Sequence, residues 1–456
     1  MTKVVYAEES LLDCLRTLTD KSPTAVGLII GQSLHSKDYV IHLARTPEER
    51  DKLIESPTSI QALTFKTVKD IHESVIADHA KHVTRMLPGG FCILGVFICS
   101  STSIFGDALL EPTLKKMLIC MKKIQLNEPF SLSKNESEKL MFHYNPADKK
   151  YLCKTLDVTN AMSSTFKQVD WKFQNIYTKW CQISSKFDMN WPAIGGRTSL
   201  HLKTQLKNFL SEVNNLLEPA IILINDKYMD PNNILEVVYT SKAAEKLKSG
   251  NDLQSLTASI FAPLKESSTN DDMVIVDCDV KLNIMGVLRS QVFLGSKVTF
   301  EEAVAAVKQD IARSLSARME LHWDSLIEEE YGSPEEKQTI HEPPRRVSVS
   351  LPNSYICFND YIFPGEGAPE VISTFKELLD IEISEDNVNE EFEVHGDPSE
   401  LYGRPDVNAS TNSDDILSST LPTGFLIAAI SFAVLLIGIA IALHIQRNSA
   451  PGKKIS

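Results

Sequence analysis

The residues best equipped for chemistry in this chain are histidines, cysteines and acids, and few of them are spaced to act together. His72, Glu73, His79 and His82 fall in one stretch with helical apolar spacing. Positions seven apart on a helix share a face, so His72 and His79 align while Glu73 and His82 point elsewhere. Two aligned imidazoles fall short of the ligand set of a zinc site, and partly buried or surface histidines are the plainer reading. Cys99 could attack a substrate only as a thiolate, yet it ends the apolar run FCILGVFICS with no base close in sequence. The eight cysteines, Cys14, Cys92, Cys99, Cys120, Cys153, Cys181, Cys278 and Cys357, are scattered, mostly in apolar runs, without a C-x-x-C pair. They read as buried thiols of a reducing compartment. No G-x-G-x-x-G, Walker loop, G-x-S-x-G elbow or H-E-x-x-H occurs, and Lys150 and Lys154 read as a solvated face. No catalytic residue, cofactor or metal is therefore expected.

The elements that carry these residues predict a mixed α/β fold. With 456 residues, 43% of them hydrophobic and 23% charged, the chain suits two or three folded domains. A net charge of −14 opposes nucleic-acid binding, which needs a basic patch to displace counterions. VVYAEESLLDCLRTL predicts a strand entering a helix, and AVGLIIGQ and DYVIHLA two further strands. TFKTVKDIHESVIADHAKHVTRML predicts a helix ended by Pro88-Gly89-Gly90, and FCILGVFICSS a central strand buried on both faces. A helix near 107–124 and strands at LMFHYN and KKYLCKTLDV complete a first domain over residues 1–190. The Trp191-Pro192 break opens a second α/β domain over 191–380. There VIVDCDVKLNI alternates as a half-buried strand, and Thr299 with Glu302 forms a capping box before a long amphipathic helix. RRVSVSLPNSYICFNDYIF reads as strand and APEVISTFKELLD as helix. Residues 381–422 are acidic and turn-rich, as in a flexible tether.

Residues 423–443, TGFLIAAISFAVLLIGIAIAL, contain no charge, and about 20 such residues at about 1.5 Å each match a hydrocarbon layer of about 30 Å. A single transmembrane helix is expected, with Thr423, Phe425, Leu426, Ile427, Ile430, Phe432, Val434, Leu435, Leu436, Ile437, Ile439, Ile441 and Leu443 as the membrane anchor. Residues 444–456 form a short polar tail. MTKVVYAEESLLDCL lacks the basic and long apolar regions of a secretory signal, which predicts a cytosolic body. Asp414 and Asp415 before the span, with Arg447, Lys453 and Lys454 after it, would by the positive-inside rule favour the opposite orientation. That signal weighs less than the export of some 420 residues without a leader. Asn135 and Asn408 have the form of glycosylation acceptors and would be silent in the cytosol.

HAKHVTRMLPGGFCILGVF at 79–97, GLIIGQSLHSKDYVIHLARTP upstream, VKQDI at 307–311 and the terminal apolar run resemble the family of odorant-response-abnormal protein four. The resemblance implies a non-enzymatic, tail-anchored adaptor that assists folding, trafficking or localisation of seven-transmembrane, G-protein-coupled receptors of odorant type. It further implies recruitment of a ubiquitin-fold-modifier-specific protease at the endoplasmic reticulum. The first domain also resembles the MPN fold, whose active enzymes carry His-x-His after the strand corresponding to ILGVF. Phe97-Ile98-Cys99-Ser100 stand there instead, so the resemblance implies an MPN-like domain without its metal. The alternative is a membrane-tethered hydrolase with an unrecognised active site.

Overall fold

A computed structural model describes residues 3–21, 24–34, 37–47, 65, 67–125, 130, 137–161, 163–174, 180–194, 202–235, 254–263, 281–295, 297–326, 342–352 and 354–393. All lie in the first of two units, Met1–Asp397 and Pro398–Ser456. The apolar run from Thr423 to Leu443 is outside the described residues, and among those described no helix is long and apolar enough to cross a membrane.

The chain has the expected mixed α/β character. Strands β1 (Val4–Glu8), β2 (Thr24–Leu34), β3 (Lys37–Arg45), β4 (Cys92–Ser100), β5 (Glu138–Asn145), β6 (Lys150–Asp157) and β7 (Lys167–Gln174) close a barrel in the order β1-β3-β2-β4-β5-β6-β7. Helices α1 (Glu9–Lys21), α2 (Glu73–Met86) and α3 (Glu111–Gln125) pack on it. The unbroken apolar sequence of β4 has a direct cause, because alternate residues enter different cores. Phe97 and Cys99 join Leu15 of α1 and Trp171 of β7, whereas Val96 and Ile98 join Ile76 and Val83 of α2 and Leu114 of α3. The α2 helix is shorter than its apolar periodicity predicts. Val68 sits on a separate 3-10 turn, Val68–Asp70, closed by a hydrogen bond from the Thr67 N–H to Asp70 Oδ2 of 2.8 Å. Val68 and Ile71 are nevertheless buried.

A second sheet holds β8 (Trp180–Ile194), β9 (Ile221–Ile224), β10 (Gln254–Phe261) and β11 (Lys281–Gly295) in the order β11-β8-β10-β9. Helices α4 (Leu202–Leu217) and α5 (Phe300–Leu326) share its core through Phe209, Val213, Val307 and Ile311. Trp191-Pro192 is not a break: β8 runs through it, with Pro192 opposite Asn283. The tolerance is topological, since β10 pairs β8 only over Cys181–Ser185 and beyond it Pro192 needs no donor on that side. Of the alternating VIVDCDVKLNI run, residues 274–280 lie outside the described residues.

A third sheet, β13-β12-β14, comprises β12 (Arg345–Ser350), β13 (Cys357–Ile362) and β14 (Val388–Asn389), followed in space by α6 (Ala368–Leu379). It corrects the expected tether. Residues 381–393 belong to the fold, with β14 paired to β12 and Glu393 buried against Arg318. Glu393 also accepts the Arg289 N–H at 2.8 Å and the Arg346 N–H at 3.0 Å, so this acidic segment is held by partners far away in sequence. The cysteine reading needs the same adjustment: Cys99, Cys153 and Cys181 are buried, while Cys14, Cys92, Cys120 and Cys357 are half-buried and Cys278 is outside the described residues.

Candidate functional site

The end of β4 brings Ser100 against His143 of β5, a hydroxyl beside an imidazole, while the neighbouring Cys99 packs into the core with Leu15 and Trp171. Burial, and then Cys14 nearby, push the Cys99 thiol up to about 12, so it stays protonated. Ser100 Oγ lies 3.1 Å from His143 Nε2 but donates its single proton to the Thr102 carbonyl at 2.8 Å. His143 Nε2 also lies 3.2 Å from the Ser100 carbonyl, which assigns it as the donor. A general base has to accept at that nitrogen. The pair is arranged as a strand-end clasp.

The histidines of α2 separate by role. His72 is exposed just before the helix, and His82 is on the surface. His79 is buried, donating from Nε2 to the Leu378 carbonyl at 2.7 Å and accepting the Thr46 hydroxyl at Nδ1 at 3.0 Å. Burial lowers its pKa to about 4. His42 of β3 donates to the Leu379 carbonyl at 2.7 Å and is likewise lowered by burial. Two neutral histidines from different elements thus satisfy carbonyls that the end of α6 leaves without helical donors. Among the described residues no group of three His, Cys, Asp or Glu side chains could hold a metal ion.

The Leu87-Pro88-Gly89-Gly90 turn after α2 is clamped by charges that read as solvent-facing in the sequence. Gly90 has φ +91°, and a Cβ there would lie 2.2 Å from the Phe293 carbonyl oxygen. Asp310 of α5, fully buried, accepts the Gly89 N–H at 2.7 Å and the Gln291 N–H at 3.0 Å. It is also paired with buried Arg346 of β12 through two bonds of 2.8 and 2.9 Å. Against the penalty of burial, Asp310 holds the Arg346 guanidinium above its ordinary value. Arg313 donates to the Leu87, Pro88 and Phe91 carbonyls at 3.1–3.2 Å. Gln32 joins the barrel to the second sheet, donating to the Gly90 and Phe293 carbonyls and accepting the Gly295 N–H at 2.9 Å. Helix α5 is therefore not simply amphipathic: Val307, Ile311 and Leu315 face one core, and Asp310, Arg313, Ser314 and Arg318 are buried on other faces. The available signal was the small residues Ala306, Ala312 and Ala317 among those charges, which permit close approach to backbone.

Where α2, α5, β13 and α6 meet, a cavity of about 250 Å³ opens to solvent. Met86, Leu321, Ile362, Phe363 and Leu378 make its apolar lining, and Arg85, Asp360, Glu366 and Glu370 its charged one. Burial raises Asp360 to about 7, opposed by hydrogen bonds from the Tyr361 N–H and Thr374 and reinforced by Glu366. Sequence pattern marked none of these residues as a site.

The residues expected to form the anchor, Thr423 to Leu443, lie outside the described residues. The family model described as ODR4-like, Odorant response abnormal 4-like, matches residues 27–390. The protein odr-4 homolog of Xenopus laevis is 26% identical over 95% of this chain and 99% of its own length. That of Homo sapiens is 28% identical over 86% of each. Odorant response abnormal protein 4 of Caenorhabditis elegans is 25% identical over 84% of this chain and 78% of its own. Among solved structures, UfSP from C. elegans aligns at 9% identity with a TM-score of 0.43, covering 84% of this chain and 57% of that one, a likeness too distant to carry an argument. The match of the family model across most of its length makes this chain a member of the ODR4-like family.

Proposed function

We propose that the chain is a non-enzymatic adaptor, anchored by one helix over residues 423–443 with its folded body in the cytosol. It assists the folding, trafficking or localisation of seven-transmembrane receptors of odorant type and recruits a ubiquitin-fold-modifier-specific protease at the endoplasmic reticulum. The observation that most supports this reading is the similarity, over 84% of this chain and 78% of its relative, to the worm protein named Odorant response abnormal protein 4. The uncharged 423–443 run supports the anchor. The commitment of the Ser100 proton to a backbone carbonyl favours binding over hydrolysis. In the same reading, the barrel of β1 to β7, within the expected first domain of residues 1–190, is an MPN-like domain without metal, and the sheets that begin with β8 and extend to residue 393 form the second domain.

The test is to express a tagged chemoreceptor with the full chain, or with residues 423–456 deleted, in cells lacking the endogenous relative. Receptor at the cell surface is counted by flow cytometry, and proteins recovered with the chain are identified by mass spectrometry. The adaptor reading expects a several-fold rise with the full chain and none with the deletion, with the protease in the recovered set. Cleavage of a modifier precursor by the purified chain, abolished by one polar substitution that leaves the fold intact, would establish the hydrolase instead.

A further inference from the structure

The cavity between α2, β13 and α6 has a composition that selects its occupant. Its floor is hydrocarbon, from Met86, Ile362 and Leu378, and its rim carries the carboxylates of Asp360, Glu366 and Glu370. Each rim carboxylate accepts one backbone N–H: Asp360 from Tyr361 at 2.8 Å, Glu366 from Phe363 at 2.7 Å and Glu370 from Gly367 at 3.0 Å. Those bonds fix the side chains without neutralising them. None of the three has a basic partner within salt-bridge distance among the described residues. Arg85, which also lines the cavity, is drawn off by Glu320 at 2.7 Å, and Lys81 is paired with the same glutamate. With Asp360 ionised, three carboxylates among the described residues line the cavity against one cation, Arg85, that is already paired with Glu320, so the space favours a further positive charge.

Size narrows the choice. About 250 Å³ is below the roughly 300–1,000 Å³ of small-molecule sites and suits one long side chain. A side chain that lays an aliphatic stem on an apolar floor and presents a forked cation to several carboxylates is arginine. We infer that this cavity docks an arginine side chain of a partner polypeptide, with Asp360, Glu366 and Glu370 receiving the guanidinium. The inference concerns a second contact site and does not depend on the receptor or protease reading above.

Docking of a cation favours the ionised form of Asp360, so binding releases a proton. With Asp360 at about 7 in the free protein, affinity is expected to rise about tenfold between pH 6 and pH 8 and to level off above. The other polar groups lining the cavity with this carboxyl are His82 and Arg85 from α2, Tyr361 from β13, and Glu366, Glu370 and Thr374 from α6 and the turn before it, with Glu320 of α5 paired to Arg85 behind them. His82 is held below its ordinary value, first by burial and then by Arg85 and Lys81, and the variant His82→Gln separates its titration from that of Asp360.

The experiment measures anisotropy of a fluorescent alanine-based peptide with one central arginine against the purified full-length protein in detergent micelles. A citrulline peptide and free agmatine serve as comparisons. The expected result is arginine-peptide binding that Asp360→Asn weakens at least tenfold and strips of pH dependence, that Glu366→Gln weakens several-fold, and that His82→Gln leaves pH-dependent. Asp360→Asn removes a charge that the fold disfavours, so its thermal midpoint at pH 8 should equal or exceed the wild type, which keeps lost binding distinct from unfolding. Binding of the citrulline peptide as tight as that of the arginine peptide, competition by agmatine at equal concentration, no arginine-peptide binding at millimolar protein, or binding indifferent to Asp360→Asn would each overturn the inference.

Discussion

Replacing Asp310 by Asn leaves the shape of the side chain intact and removes the charge on which the LPGG clamp depends. In the wild type its two oxygens receive the Gly89 and Gln291 amides and both terminal nitrogens of Arg346. The asparagine offers one acceptor oxygen and turns an NH₂ toward donors. Arg346, only 1% exposed, then keeps its charge without its bonded counter-ion, and breaking a buried pair in this way costs about 3–5 kcal/mol. A backbone N–H left facing the amide adds about 1–3 kcal/mol. Against a total stability on the order of 5–15 kcal/mol, the variant should lie close to the unfolding threshold. Arg346→Met should cost a similar amount, because it strands the aspartate. The double variant Asp310→Asn/Arg346→Met should be better than the sum of the singles by at least about 2 kcal/mol, since no buried ion is left alone. Urea unfolding followed by tryptophan fluorescence measures all four corners of this cycle, with Trp180, edge-on to Phe91 at 5.0 Å, as a probe close to the clamp. Hydrogen exchange at Gly89 and Gln291 reads the local opening. A single-variant cost under about 1 kcal/mol, or additivity within about 0.5 kcal/mol, would refute the clamp as the stabilising centre.

Gly90→Ala places a methyl 2.2 Å from the Phe293 oxygen at a positive φ, so a loss of about 2–4 kcal/mol in urea unfolding is expected, and a neutral result would mean that the turn relaxes freely. His79 has a folded pKa of about 4 against 6.5 unfolded, so its contribution is fully present above pH 6.5 and is lost as the pH falls toward 4, on the order of 3 kcal/mol in all. Asp360 works in the opposite sense, its contribution fading as pH rises from 3.8 to about 7, so the readout is the stability gap between wild type and His79→Gln, which should narrow by about 2 kcal/mol between pH 7.5 and pH 5. A gap constant with pH would contradict the buried neutral imidazole. Arginines at Val434 and Leu435, at about 2.5–3.5 kcal/mol each at a helix centre, should release the protein from carbonate-washed membranes, and retention would remove the anchor assignment.

The sequence by itself determined those features whose causes are local in the chain. Strand β4 was legible because nine apolar or small residues in a row satisfy no surface, and it is indeed buried on both faces. The start of α5 was legible because Thr299 and Glu302 cap each other, with the Thr299 N–H to Glu302 Oε2 bond at 2.9 Å. Pro88-Gly89-Gly90 ends α2 for the same kind of reason. Only tertiary structure decided which charges are buried. Asp310 meets Gly89 across 221 residues, and Glu393 meets Arg318 across 75, so neither partner is implied by the other's neighbourhood. A charged side chain read in isolation belongs in water, because burying an unpaired ion costs far more than any local preference returns. The same physics misplaced Pro192 and residues 381–393: a proline breaks a strand only where its missing donor is required, and an acidic segment stays solvated only where no buried arginine or amide waits for it. Those conditions are set by which strand lies alongside and which cation lies beneath, and they come into being only when distant parts of the chain pack together.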